Sequence, residues 1–262
     1  MLTGQSVLSD VGIDAVALKP TECSVDEATG LPIDTVAIDY EGRDALPDWE
    51  TLESLAETVS LYVTTPVRAE GFDPLGDDTL VDELPARANR VLVAGHPAYL
   101  TEDERSRAVA PRLGAAVSAT ADPWVGTESI ERIALAAGGT QYELLSRTTE
   151  RDVRAMRAAG FDGDVAVYAP TVLTGDEDEI LDAVGDYVSR RSPVQQALPE
   201  DAATDARAAG RAREVLLAAA GDYALAGRPD AVREGIDALR DAGVDTIVGY
   251  PARGIDDFRR TH

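Results

Sequence analysis

Residues Gly227–Pro251, GRPDAVREGIDALRDAGVDTIVGYP, spell one complete helix-then-strand unit in a single run. Pro229 stands in the first turn, where its missing amide costs nothing; Asp230 and Glu234 suit the positive start of a helix, and Arg240 and Gly243 suit its end. The apolar run Thr246–Gly249 follows as a strand and stops at Tyr250-Pro251. Units of this kind, repeated, close into a barrel or spread into an open parallel sheet, and in both the chemistry gathers at the C-terminal ends of the strands.

The same grammar recurs upstream. Short runs rich in Val, Ile, Leu or Tyr predict strands at Ala15–Leu18, Thr35–Tyr40, Ser60–Val63, Arg90–Ala94, Trp124–Gly126, Gln141–Leu145, Asp164–Tyr168 and Thr246–Gly249. Amphipathic patterns predict helices at Thr51–Thr58, Ser129–Ala137, Glu150–Ala159, Glu177–Arg190, Thr204–Ala220 and Pro229–Ala242, with Ser192–Asp205 as a polar linker. Alternating strands and helices imply parallel pairing, and near-continuous apolar strands imply burial on both faces. Eight strands is the count of a (β/α)8 TIM barrel. The rival, an open doubly wound sheet, usually carries a glycine-rich phosphate fingerprint after its first strand, and none follows Ala15–Leu18. The expected organisation is a short N-terminal extension, residues 1–12, before a single α/β barrel domain, residues 13–262.

Composition narrows the function classes. Acidic residues number 48 against 24 basic, a net charge of −24, and Lys19 is the only lysine. Such a surface repels nucleic acid and anionic membranes. It resembles proteins of salt-loving archaea, whose carboxylates stay hydrated where molar salt screens charges beyond about 3 Å. The single Cys23 excludes an internal disulfide, no run approaches the roughly 20 apolar residues of a membrane span, and the N-terminus lacks a secretion signal, so a cytoplasmic protein is expected.

The motif Thr64-Thr65-Pro66-Val67-Arg68, a strand ending in Thr-Thr-Pro followed by Arg, resembles the third strand of the luciferase-like superfamily, in particular the branch of F420-dependent methylenetetrahydromethanopterin reductases. Further segments match in order. Arg90–His96 resembles the fourth strand, Trp124–Ser129 the fifth strand and its turn, Ala137–Ser146 the sixth strand, Asp164–Pro170 the seventh, and Ala226–Val232 with Ala242–Asp245 the last helix and the entry to the eighth strand. The resemblance implies a barrel that binds F420 or FMN in its mouth and passes a hydride to or from a small organic or pterin-like substrate. It places Thr64, Thr65 and Pro66 beside the cofactor ring, with a non-proline cis peptide at Thr64-Thr65, and Gly126, Thr127, Glu128 and Ser129 around the cofactor phosphate. Only residues 97–123 separate the fourth and fifth strands, where family members carry a long insertion, so the substrate lid is expected to be reduced.

Residue chemistry adds candidates of its own. Lys19 and Asp39 close the first two strands, at the predicted mouth, as an anion holder or amine nucleophile and as a base. His96 ends the fourth strand and can bond or protonate a ring. Arg68 and Arg253 can grip an anionic substrate or cofactor group. With one usable histidine and no cysteine partner, no metal site is expected. Besides the oxidoreductase, two alternatives stay open: a non-catalytic barrel that binds a ligand or partner protein, and a cofactor-free lyase or aldolase acting through Lys19; under any of them a homodimer is an open expectation.

Overall fold

The eight expected strands all form, and they pair in parallel to close a barrel. The computed structural model describes residues 6–67, 81–96, 100 and 102–259. The strands are β1 Ala15–Leu18, β2 Thr35–Ile38, β3 Ser60–Pro66, β4 Asn89–Val93, β5 Trp124–Gly126, β6 Thr140–Leu144, β7 Val165–Leu173, β8 Leu225–Gly227 and β9 Thr246–Pro251. β1 to β7 pair in sequence, β9 joins β7 to β1, and the ring is complete. β8 is additional: it pairs with the C-terminal end of β7, Thr171–Leu173, outside the eight-stranded ring. At three residues between a helix and a turn, it has too little alternation to be read from sequence.

The helices are α1 Val7–Val11, α2 Trp49–Ala56, α3 Glu102–Arg105, α4 Val109–Ser118, α5 Glu131–Ala137, α6 Thr149–Ala158, α7 Glu177–Ser189, α8 Ser192–Ala197, α9 Gly210–Tyr223, α10 Pro229–Ala242 and α11 Asp256–Arg259. α10 shows how the sequence fixes them. Pro229 opens it, Val232, Ile236, Leu239 and Ala242 form its buried face, and Gly243 closes it at φ 108° in the left-handed region that L side chains avoid. There the Gly243 amide donates to Arg240 O and the Val244 amide to Leu239 O, the paired bonds of a Schellman ending. Residues 7–11, ahead of the first strand, form α1, whose Val7, Leu8 and Val11 are buried against the outer core.

Alternation along the strands makes two cores. Val16, Leu18, Val36, Ile38, Leu61, Val63, Val165, Val167 and Ile247 face outward under the helices. Ala15, Ala17, Ala37, Val91, Trp124, Tyr142, Ala166, Tyr168, Val248 and Tyr250 face inward and fill the barrel. The filling is lopsided, with alanines on β1 and β2 facing large rings on β5, β6, β7 and β9. The rings touch in succession, Tyr62 stacking on Trp124, Trp124 on Tyr142, then Tyr142, Tyr168 and Tyr250 in turn, at centroid separations of 4.0, 5.3, 6.2 and 6.1 Å. The interior is a packed core, and its open chemistry lies above, at the mouth.

Candidate active site

The side-chain period of two carries the inward rows of β1 and β2 past their ends. After Ala15 and Ala17 comes Lys19; after Ala37 comes Asp39. Ala17 pairs with Ala37, and the Asp39 amide donates to Leu18 O at 2.9 Å, so the lysine and the carboxylate arrive at the mouth side by side. Lys19 Nζ lies 3.2 Å from Glu22 Oε1 and 4.1 Å from the centroid of the Tyr250 ring, while the Tyr250 hydroxyl donates to Glu22 Oε2. Asp39 takes a hydrogen bond from Tyr168. Burial, helped by Glu41 and Glu22 and opposed by Lys19 and that hydrogen bond, pushes the Asp39 carboxyl up to about 7. The Tyr168 hydroxyl is itself held well above its ordinary range by burial and by Asp39. A carboxyl poised near neutrality against a phenol that keeps its proton is a proton donor and acceptor in place.

A second cluster stands at the ends of β4 and β5. His96 Nε2 is 3.2 Å from Glu128 Oε2, and Arg191 Nη1 is 3.5 Å from Glu128 Oε1. Arg191 also donates to the Tyr187 hydroxyl, its guanidinium 4.6 Å from that ring's centroid. The approach of His96 to Glu128 depends on Gly95. A Cβ there would lie 2.5 Å from Ile130 Cγ2 and 2.8 Å from Glu128 O. Gly95→Ala is therefore expected to cost about 1–3 kcal/mol in denaturant unfolding, because the backbone oxygen cannot step aside. A cost within error of zero would mean that the turn moves freely.

Beside the Glu128 turn a cleft of about 400 Å³ opens between β6, α5 and α6. Its walls include Leu144, Leu145, Met156 and Tyr223, the hydroxyls of Ser146, Thr148 and Thr149, the carboxylates of Glu128, Glu131, Glu143 and Asp152, and the guanidinium groups of Arg132 and Arg191. Glu143 alternates with the inward Tyr142 and Leu144 and so faces outward into this layer. Burial first, then Asp152 and Glu131, push its carboxyl up to about 7.

A family model matches residues 8–258, essentially the whole barrel, and its description is "Family of unknown function (DUF7388)". The chain belongs to this family. No curated protein matches the sequence. Among solved structures, the fold is similar to that of a coenzyme F420 dependent tetrahydromethanopterin reductase from Methanopyrus kandleri, with TM-score 0.59 and 17% identity over 90% of this chain and 92% of that one. It is also similar to an F420-dependent secondary alcohol dehydrogenase in complex with an F420-acetone adduct, with TM-score 0.57 and 13% identity over 92% and 93%. A third structure, apo-MsnO8, aligns with TM-score 0.56 and 14% identity over 95% and 96%. At such identities these likenesses establish the fold, which agrees with the barrel expected from the luciferase-like motifs.

In this DUF7388 chain the expected site residues fall into separate groups. Lys19 and Asp39 meet at the mouth, while His96 joins Glu128 on the far side. Thr64 and Thr65 are both buried but diverge. Parity turns Thr64 inward, whereas Thr65 Oγ1 lies 3.5 Å from Arg90 Nε and donates to Val63 O. The Thr64-Thr65 peptide is trans, as are all described peptide bonds, so the cis bond implied by the resemblance is not present. Arg253 is held by Glu179 at 2.5 Å and lies 3.6 Å from Asp257. Arg68 lies outside the described residues. Among the described residues no group of three His, Cys, Asp or Glu is placed to hold a metal, and no helix is long and apolar enough to cross a membrane.

The Gly126–Ser129 turn, expected to cradle a cofactor phosphate, does not fit one. The Thr127 amide and hydroxyl both point at Tyr142 O, at 3.1 and 3.4 Å, and the Ile130 amide bonds Thr127 O at 2.9 Å. Ser129 sits at φ 66°, an unusual position for a non-glycine residue, yet α5 behind it has only seven residues. Above all, Glu128 puts a carboxylate where the anion would go. The ring end fits better: Thr64, Asp39 and Tyr168 offer neutral or switchable donors and acceptors of the kind that match the edge of a heteroaromatic ring. Tyr168, Tyr250, Glu22, Arg191 and Glu143 complete these clusters and are not among the residues expected from sequence. Tyr168 was hidden as an ordinary strand aromatic, although its period-two placement with Ala166 marked it as inward-facing.

Proposed function

We propose that the barrel mouth binds a flat ring of the F420 or FMN type together with a small organic or pterin-like substrate, and that the chain is an oxidoreductase. The observation that carries this is the Asp39 carboxyl, near neutrality and hydrogen-bonded by Tyr168, at the C-terminal mouth of a barrel whose structural neighbours are F420-dependent. A ring of this type supplies hydride chemistry. The chain's own part is to seat the ring against Thr64, to give or take the accompanying proton at Asp39, and to keep that carboxyl oriented through Tyr168. Lys19, paired with Glu22 and lying over Tyr250, serves as a fixed positive charge beside Asp39 rather than as a free amine nucleophile.

The test is optical. Purified protein is titrated with F420, FMN, riboflavin and the deazaflavin chromophore without its tail. Saturable quenching or a band shift at one equivalent is expected for at least one ring; no change with any of them would overturn the proposal. The short segment between β4 and β5, whose described residues form α3 and α4, favours a second reading in which the ring is bound without turnover. Single-turnover bleaching of the bound, reduced ring by small carbonyl acceptors separates the two.

A further inference from the structure

The misfit at the Gly126–Ser129 turn extends beyond that turn. The cleft that this turn borders, through Thr127 and Glu128, is lined by Glu128, Glu131, Glu143 and Asp152, against Arg132 and Arg191. The cations near the mouth are already engaged: Lys19 with Glu22, Arg253 with Glu179, and Arg191 and His96 with the same Glu128. Arg191 Nε has no hydrogen-bond partner, and with Arg132 it sets two guanidinium groups against four carboxylates in the cleft. A phosphate carries close to two negative charges near neutral pH. At the turn it would either face Glu128 or take His96 and Arg191 away from it, which strands a half-buried carboxylate.

A hydroxyl-bearing tail meets the opposite reception. Each carboxylate accepts hydrogen bonds and each tail hydroxyl has one to give, so the acids that repel phosphate grip a polyol. Ser146 and Thr148 line the same cleft and can both give and accept. Leu144, Leu145, Met156 and Tyr223 supply apolar wall beside them.

Resting on the ring-binding reading above, we infer that the site selects its ring with an uncharged polyhydroxyl tail and rejects the phosphorylated form. The ligand class is riboflavin-like rather than FMN-like, and a deazaflavin without its anionic tail rather than F420. Riboflavin and FMN differ only in the phosphate, which isolates the point.

The experiment is fluorescence titration of the full chain with both ligands at pH 8, above the value of about 7 for the Glu143 carboxyl, in salt that keeps the chain folded. Riboflavin is expected to bind at least tenfold tighter than FMN, about 1.4 kcal/mol. Glu128→Gln, at a side chain 31% exposed, is expected to fold normally by circular dichroism. It should shrink the gap at least fivefold, chiefly by tightening FMN, because His96 and Arg191 are released. Glu143→Gln gives an independent second reading of the cleft and should shrink the gap in the same direction. FMN binding as tightly as riboflavin, or a gap that neither variant narrows, overturns the charge selection and leaves ring binding standing. Binding of neither ring, nor of F420 or its tail-free chromophore, overturns ring binding and this inference together.

Discussion

Trp124→Ala is expected to remove about 3–5 kcal/mol from the unfolding free energy, the range for deleting a buried large aromatic side chain. Trp124 is the first residue of β5, is 6% exposed, and stacks between Tyr62 and Tyr142. The alanines on β1 and β2 leave nothing that can lean over to fill the hole, since Ala15, Ala17 and Ala37 have no rotamers to change. The cost should therefore fall toward the upper end of the range. Trp124→Phe keeps the stacking and most of the volume, and should cost less than about half as much. The measurement is urea unfolding followed by far-UV circular dichroism in molar salt, where the acidic surface is screened. A loss below about 1 kcal/mol for Trp124→Ala would show that the barrel interior is not the packed core described here.

The fold was legible because its signals are local. Each barrel strand is a short apolar run with a clear stop, and α10 has its proline start, apolar face and glycine ending within one stretch. The signals failed where packing, not pattern, decides. Residues 192–205 read as a polar linker, yet Ser192–Ala197 is helical and buries Val194 against Leu181, Val188 and Leu216. One apolar side chain per turn is too little periodicity to announce a helix. The site divides in the same way. Lys19 and Asp39 were found because strand parity and the barrel's chirality bring successive strand ends to one mouth. Two controllers were not: Tyr168 arrives from the other side of the ring, and Arg191 falls between the helix read over 177–190 and the segment read as linker. Glu128 shows the opposite limit. Its neighbours in sequence resemble a phosphate turn, and only the three-dimensional placement of His96 and Arg191 around it reveals a carboxylate already serving as the anion.

Wild-type stability is expected to fall as pH rises from about 4 to about 7, and Asp39→Asn should remove much of that fall. An unfolded aspartate titrates near 3.9, whereas the folded Asp39 carboxyl is pushed up to about 7. Below pH about 4 both states hold the proton, so this group adds no slope. Between the two values the folded state keeps a proton that the unfolded state has released, so stability falls by up to about 1.4 kcal/mol per pH unit. Above about 7 both are ionised and the loss, on the order of a few kcal/mol, is complete. Glu143, also pushed up to about 7, adds a slope of the same sign, and Glu143→Gln separates its share. The asparagine carries no charge at any pH, so Asp39→Asn should match the wild type near pH 4, where both states hold the proton, and exceed it in melting temperature at pH 8. The same substitution removes the proton that Asp39 gives or takes, so turnover by the ring-loaded enzyme should drop by about 10²–10⁴ while the protein grows more stable. Melting curves of wild type and variant that run parallel from pH 5 to 8.5 in molar salt would mean that Asp39 ionises as an ordinary surface carboxylate, and the proton-transfer role built on its burial would go with it.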